Sequence, residues 1–453
     1  MATTFLSKTF SGAGTRTKYT ISVWVKRAAI GSTQCIFSAG TGANNSMTIS
    51  FNGADDRLYW NSYSNNGSNY DYFLNCTRRF RDVGAWYHIV CAFDSTQGTA
   101  SNRQKIYING VQETAFETET YSGSYSDYAF NNILHEIGQD VGAGSRFFDG
   151  SMTHFHGVDG TAYAPTSFGE VDSTSGIWKA KSSPSVTYGN NGFFLKMENS
   201  GAMGTDSSGN SNTFTVNGTL TQNVDTPSNV FATLNGIHVG GGASTLSNGN
   251  TTYSLSNYSY NTRSTLGMPS GKFYWEQKQN DTKIRIGLIT SGFTTDLDTD
   301  NGNAYYGGSG GGGVYLLLSN NATSWQYTNN DTSQNTGTYT TAIASGANDI
   351  LMGAVDVDAG KLWIGLNGVW FNSGNPATGS NATLTFTNSS GDDLQIYAGF
   401  GSSSARVSSF NFGNGFFGTT AISSEGTNAS GIGKFEYDVP TGFTALSTKG
   451  LNL

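Results

Sequence analysis

Tyr19-Thr20-Ile21-Ser22-Val23-Trp24-Val25-Lys26 puts Ile21, Val23 and Val25 on one side of an extended chain, the period-two alternation of a half-buried strand. Trp86-Tyr87-His88-Ile89-Val90-Cys91-Ala92-Phe93-Asp94 is apolar on both faces, as in a central strand of a sandwich. Lys105-Ile106-Tyr107-Ile108-Asn109-Gly110-Val111 follows, and its Asn-Gly pair supplies the two positive φ angles of a tight hairpin. The second half repeats this grammar. Gly271-Lys272-Phe273-Tyr274-Trp275-Glu276, Ile284-Arg285-Ile286-Gly287-Leu288-Ile289 and Ile350-Leu351-Met352-Gly353-Ala354-Val355 read as strands, and Lys361-Leu362-Trp363-Ile364-Gly365-Leu366 closes on a second turn at Asn367-Gly368. No stretch keeps a helical period; the best helical candidate is one turn after Pro165.

Composition agrees with an all-β chain. There are 60 glycines but six prolines, and charged residues make up 12% of the 453 positions, about half the usual share. Aromatics reach 13%, which separates the chain from disordered tracts. A net charge of −8 argues against nucleic acid, since phosphate backbones need clustered Lys and Arg and the densest group is Arg78-Arg79-Phe80-Arg81. No apolar run is long enough for a membrane helix, so no membrane insertion is expected. The N-terminus lacks a charged segment followed by an apolar one, so no signal peptide is expected either. Cys35, Cys76 and Cys91 are odd in number and follow no metal or redox spacing, which fits synthesis in a reducing cytoplasm. An Asn/Gly/Ser/Thr-rich stretch between about Asp206 and Asn250 marks the boundary between two halves.

Aromatic loops carry the main functional signal. Asn61-Ser62-Tyr63-Ser64-Asn65-Asn66-Gly67-Ser68-Asn69-Tyr70-Asp71-Tyr72 is polar with three tyrosines interspersed, and Tyr125, Tyr128, Tyr305 and Tyr306 repeat that character. Tyrosine offers a large contact area at small entropic loss, and short amides adapt their hydrogen bonds. Sugars present C–H faces and hydroxyls that suit such surfaces. Local packing of the rings is the competing explanation.

Other groups point less far. Asp296, Asp298 and Asp300 start like a calcium loop, but glycine falls at the seventh position and Gly307 stands where the bidentate glutamate belongs. A structural calcium ion is the one cofactor this pattern could hold, and a solvated acidic turn is preferred. His154 and His156 could share one strand face as metal ligands, yet three convergent ligands are needed and a hydrogen-bonded strand pair is the simpler reading. Glu170-Val171-Asp172-Ser173-Thr174-Ser175 resembles the E-x-D-x-x-E strand of some glycosidases, but Ser175 occupies the proton donor's position. Glu170 and Asp172 are therefore expected at a surface turn.

The runs Ile21-Ser22-Val23-Trp24-Val25-Lys26-Arg27, Trp86-Tyr87-His88-Ile89-Val90, Phe148-Asp149-Gly150 and Tyr188-Gly189-Asn190-Asn191-Gly192-Phe193 resemble a laminin-G or concanavalin A-like sandwich of the kind found in structural proteins of marine phages. Pro269-Ser270-Gly271-Lys272-Phe273-Tyr274-Trp275-Glu276, Asp356-Val357-Asp358-Ala359-Gly360-Lys361-Leu362-Trp363, Asn367-Gly368-Val369-Trp370 and Val439-Pro440-Thr441-Gly442-Phe443 resemble a SPRY (B30.2-like) domain. The resemblance implies two tandem antiparallel β-sandwiches. They are a laminin-G-like one over residues 1–225, a linker over 226–245 and a SPRY-like one over 246–453, with a Gly/Ser-rich insertion near 416–434. It also implies a non-enzymatic virion component of a tailed phage, in a tail fibre, spike or capsid-surface fibre. Expected partners are other virion proteins, further copies of the chain (a trimer) and a host-surface glycan or protein. A polysaccharide depolymerase and a purely architectural capsid decoration are the alternatives.

Overall fold

In the computed structural model the chain divides into two compact units, Met1–Gln222 and Asn223–Leu453. The structure describes residues 3–64, 69–123, 125–173, 176–237, 244–255, 261–280, 284–292, 314–321, 324–329, 333–337, 348–388, 391–400 and 405–452, with backbone alone for 69, 261, 284, 285, 314–321, 324–329, 333–337 and 400. Among these residues the regular structure is strands and five 3-10 turns, one of them at Pro165–Ser167 after the expected proline.

Among the described residues the first unit holds sixteen strands. They are β1 (Phe5–Thr9), β2 (Lys18–Arg27), β3 (Gln34–Gly42), β4 (Asn45–Phe51), β5 (Arg57–Ser64), β6 (Asn69–Arg79), β7 (Trp86–Asp94) and β8 (Gln104–Ile108). The remainder are β9 (Val111–Gln112), β10 (Phe116–Thr120), β11 (Leu134–Ile137), β12 (Gly150–Asp159), β13 (Gly169–Val171), β14 (Trp178–Ala180), β15 (Phe193–Leu195) and β16 (Thr215–Asn217). Eight form a sheet in the order β10-β6-β5-β4-β3-β11-β1-β16, and six form another in the order β15-β12-β2-β7-β8-β9. β2 pairs with β7 from Lys18 to Lys26, so the two runs that decide the fold lie side by side. The alternation explains the layering. Ile21, Val23 and Val25 from one sheet meet Leu58, Trp60, Tyr72 and Leu74 from the other in a single core. Asn109 and Gly110 take φ of 49° and 83°, the pair the β8–β9 turn requires.

β7 is apolar on both faces because it is covered twice. Its His88 and Val90 face a layer built from residues after β12, where Phe168 and Tyr188 pack. The Trp178 indole donates to His88 Nδ1 at 2.9 Å, and His88 Nε2 lies 2.9 Å from Ser22 Oγ, which fixes the neutral imidazole with its proton on Nε2. Burial pushes its pKa down to about 3.

The second unit holds β17 (Ser244–Ser247), β18 (Thr252–Leu255), β19 (Asn261–Arg263), β20 (Lys272–Gln279), β21 (Ile284–Thr290), β22 (Val314–Asn321), β23 (Ser324–Asn329), β24 (Ser333–Gly337) and β25 (Ile350–Asp356). It continues with β26 (Lys361–Leu366), β27 (Val369–Trp370), β28 (Leu384–Thr385), β29 (Leu394–Phe400), β30 (Arg406–Asn411), β31 (Phe416–Phe417), β32 (Thr420–Ala421) and β33 (Thr444–Ala445). One sheet runs β17-β18-β30-β20-β25-β26-β27, with β28 beside β26 and β33 beside β20; the other runs β19-β29-β21-β22-β23-β24. Phe273 and Trp275 of β20 point between the sheets with Ile286, Leu288, Ile396 and Phe410. Tyr274 faces the other way, under Phe231, Phe435 and Phe443.

Two expectations of organisation change. Residues 226–234 are not a free linker. Phe231, Ala232 and Leu234 are buried, and Ala232 N donates to Leu446 O at 2.9 Å, because their apolar side chains complete the second unit's outer layer. The Gly/Ser-rich segment near 416–434 leads into a buried anchor. Glu276 of β20 accepts from Tyr274 Oη (3.0 Å), Asn411 Nδ2 (3.1 Å), Glu436 N (2.9 Å) and Tyr437 N (2.8 Å). Burial pushes this carboxyl up to about 7 against the pull of its four donors.

Candidate functional site

The tyrosines of the first unit divide by strand parity. Leu58, Trp60 and Ser62 of β5 point into the core, so Tyr59, Asn61 and Tyr63 point outward. On β6, Tyr72 and Leu74 point inward, and Phe73 and Asn75 outward. A register shift between Ser62 and Tyr63 leaves Asp71 as the extra residue and sets Tyr70 opposite Tyr63. The outward rings then form a row. Tyr63 and Tyr70 have centroids 4.3 Å apart, Tyr70 stacks on Phe73 at 4.6 Å, and Phe73 meets Tyr59 edge-on at 5.2 Å. Tyr70 is the most open of them at 41% exposure. Between the rings stand Asn61, bonded to Thr48, and Asn75, whose side-chain oxygen is buried without a hydrogen-bond partner.

The stretch from Asn61 to Tyr72, expected as one polar loop, is therefore mostly a hairpin of β5 and β6. Tyr72 is corrected outright: it is fully buried and cannot touch a ligand. Its phenol donates to Asp127 Oδ2 at 2.6 Å, and Tyr19 donates to the same oxygen at 2.5 Å. Asp127 Oδ1 receives Tyr128 N at 2.7 Å. Burial raises the Asp127 carboxyl and both phenols. This knot ties the segment carrying Tyr125 and Tyr128 to the sandwich core.

Tyr125 and Tyr128 are half-buried at the rim. Tyr125 Oη lies 3.3 Å from Ser62 Oγ, and burial raises its pKa. Tyr128 donates to Asn45 Oδ1 at 3.3 Å, and Asn45 precedes Ser46, which pairs with Tyr63. The rim pair thus adjoins the end of the ring row. Tyr59 and Phe73 were missed from sequence, although the alternation of Leu58 and Trp60 against Tyr59 and Tyr63 carries the signal. Tyr305, Tyr306, Asp296, Asp298 and Asp300 lie outside the described residues.

The remaining candidates resolve into structural roles. Glu170 and Asp172 share Lys179, at 3.7 and 2.8 Å, on the exposed β13–β14 hairpin. His156 is buried with Nδ1 2.9 Å from Tyr188 Oη, whereas His154 sits at a register shift with φ of 48°. Both imidazoles pack against the Phe194 ring, with centroids 6.0 and 4.0 Å from it. Among the described residues, no three acidic, histidine or cysteine side chains converge as a metal site needs. The three cysteines are buried free thiols, with Cys76 pushed up to about 12 by burial. Among the described residues no helix is long and apolar enough to cross a membrane.

No curated protein sequence matches the chain. Among solved structures it is similar to the SPRY domain of human HERC1, at 14% identity over 39% of this chain and 96% of that one with a TM-score of 0.28. It is similar to domains LG4-5 of the mouse laminin alpha1 chain, at 10% identity over 87% of this chain and 78% of that one with a TM-score of 0.27. The CBM40 of the Ruminococcus gnavus IT-sialidase matches at 15% identity over 33% of this chain and 89% of that one, with a TM-score of 0.25. Residues 7–162 match the family model for laminin G, described as the concanavalin A-like lectin/glucanases superfamily, and over those residues the first unit is similar to that superfamily.

Proposed function

We propose that the protein is a non-catalytic component of a tailed-phage particle, in a tail fibre, spike or capsid-surface fibre, and that its first unit binds host-surface glycan. The observation that carries the glycan reading is the outward row of Tyr63, Tyr70, Phe73 and Tyr59 interleaved with Asn61 and Asn75. Ring faces and edges take the C–H surface of a sugar. The match of residues 7–162 to a superfamily that includes lectins supports the same reading. The particle assignment rests on the tandem resemblance of the two halves, which also suggests a cyclic trimer.

Glycan arrays probed with the wild-type chain and with Tyr70→Ala test the binding. Losing one open ring at a surface position should leave the melting temperature unchanged and weaken binding about two- to twelvefold, since such a contact contributes roughly 0.5–1.5 kcal/mol. Absence of binding to any glycan, or equal binding by the variant, refutes the reading.

A further inference from the structure

Residues 170–187, which include most of the β13–β14 hairpin, lie as a strap over the outer face of the sheet that holds β2 and β7. Among the described residues of this strap none is buried, and Val171 and Ile177 stand open at 61% and 63% exposure. A segment with so few apolar contacts can lift while the sandwich beneath it stays folded. It grips the sheet through the Trp178 indole. That ring sits over two glycines, where a Cβ would come within 2.9 Å of it at Gly110 and 2.4 Å at Gly169. Its Nε1 donates to His88 Nδ1 at 2.9 Å, and the two rings have centroids 5.9 Å apart. Val186 adds a partly buried contact with the cluster of Val90, Val158 and Phe168.

This contact tolerates one protonation state. An indole nitrogen only donates, so His88 Nδ1 must keep its lone pair, and a proton there would set two N–H groups against each other. The other ring nitrogen is engaged as well, 2.9 Å from Ser22 Oγ. The groups around His88 supply no negative charge to hold a second proton. Trp24 of β2 stacks on it at 4.9 Å, and His154 and His156 of β12 are themselves pushed down by burial. Lys179, next to Trp178, turns to Glu170 and Asp172. Covered, His88 titrates at about 3; once the strap lifts, it returns to its ordinary value near 6.5. The hold is therefore complete above pH 6.5 and weakens as pH falls below it. We propose that the strap is an acid-released cover, in which protonation of His88 at Nδ1 expels the Trp178 indole and bares the His88 ring and the β8–β9 turn beneath it.

Hydrogen exchange of the full chain at pH 7 and pH 5, corrected for the intrinsic rate at each pH, tests this. A two-stranded hairpin is marginal alone, so the amides of Asp172, Gly176 and Lys181 lose their hydrogen bonds when the strap lifts. Their protection should fall about 25-fold from pH 7 to pH 5, the gain an open state draws from protonating an imidazole of ordinary pKa. At both pH values they should exchange faster than the amides of β2 and β7. His88→Gln, whose carboxamide accepts from the indole without titrating, should remove the strap's pH dependence. Trp178→Phe, a change outside the core, removes the donor and should leave the strap poorly protected at either pH. Equal protection of the wild-type strap at pH 7 and pH 5 overturns the proposal. So does exchange at the rate of β2 and β7, which marks unfolding of the whole unit, or a pH dependence that survives in His88→Gln.

Discussion

Acidification tests the first unit most directly, through His135. This imidazole is buried on β11, with Nδ1 2.9 Å from Ile133 O and Nε2 accepting from Phe130 N at 2.8 Å. The backbone N–H cannot reverse, so Nε2 must stay unprotonated while the unit is folded. Burial pushes the pKa down to about 4 against an ordinary value near 6.5. A lowered folded pKa means the contribution is fully present above pH 6.5 and is lost as pH falls toward 4. Between pH 7 and 5 the unfolded imidazole takes up a proton that the folded one refuses, which costs about 2 kcal/mol. For a unit of this size that is roughly 4–8 °C in melting temperature. His88 acts in the same direction, whereas Glu136, pushed up to about 7 by burial, acts in the opposite one. A comparison with His135→Gln removes both effects, because the carboxamide keeps a donor and an acceptor but does not titrate. Calorimetric scans at pH 7, 6 and 5 should show the wild-type first transition falling faster than the variant's by that margin. Parallel pH dependences would refute the assignment of His135 as a buried neutral imidazole.

Further outcomes are expected elsewhere. Glu276→Ala orphans the N–H groups of Glu436 and Tyr437 together with Asn411 and should cost about 3–5 kcal/mol; hydrogen exchange at residues 436 and 437 should accelerate, and unchanged protection would contradict the anchor. Gly353→Ala forces a methyl into the Trp275 ring and should cost about 1–3 kcal/mol in urea unfolding, whereas a neutral result would mean the ring has room to move. Glu170→Gln should change stability by less than about 0.5 kcal/mol, as for an exposed pair, and a larger loss in thermal melts would show that the β13–β14 hairpin depends on Lys179.

The layers were legible because their signals are local. Ile21, Val23 and Val25 alternate within one strand, and Asn109-Gly110 and Asn367-Gly368 encode their own backbone turns. Tyr72 was misread for a physical reason. In a hairpin the face a ring takes depends on parity counted through a register shift, and the shift beside Tyr63 cannot be located without the partner strand. Polar residues inside strands were opaque in the same way. Glu276 and Gln277 are adjacent and equally enclosed, yet one meets four donors supplied from positions 274 to 437 and the other meets none. No local pattern distinguishes them. The start of the second unit was missed because Phe231 is recognised as structural only through its pairing with Ser447.

The placement of β1 bears on how the first unit comes into being. Five residues near the start of the chain pair with β11 on one side and with β16, at Thr215–Asn217, on the other. During synthesis this partly apolar segment must therefore wait for β11, at Leu134–Ile137, and its other edge stays unmatched until β16, at Thr215–Asn217, has left the ribosome. Contacts so distant along the chain slow folding and lengthen the exposure of sticky intermediates. Expression at low temperature or with added chaperones should consequently raise the yield of this protein more than it does for proteins whose neighbouring strands are made in succession.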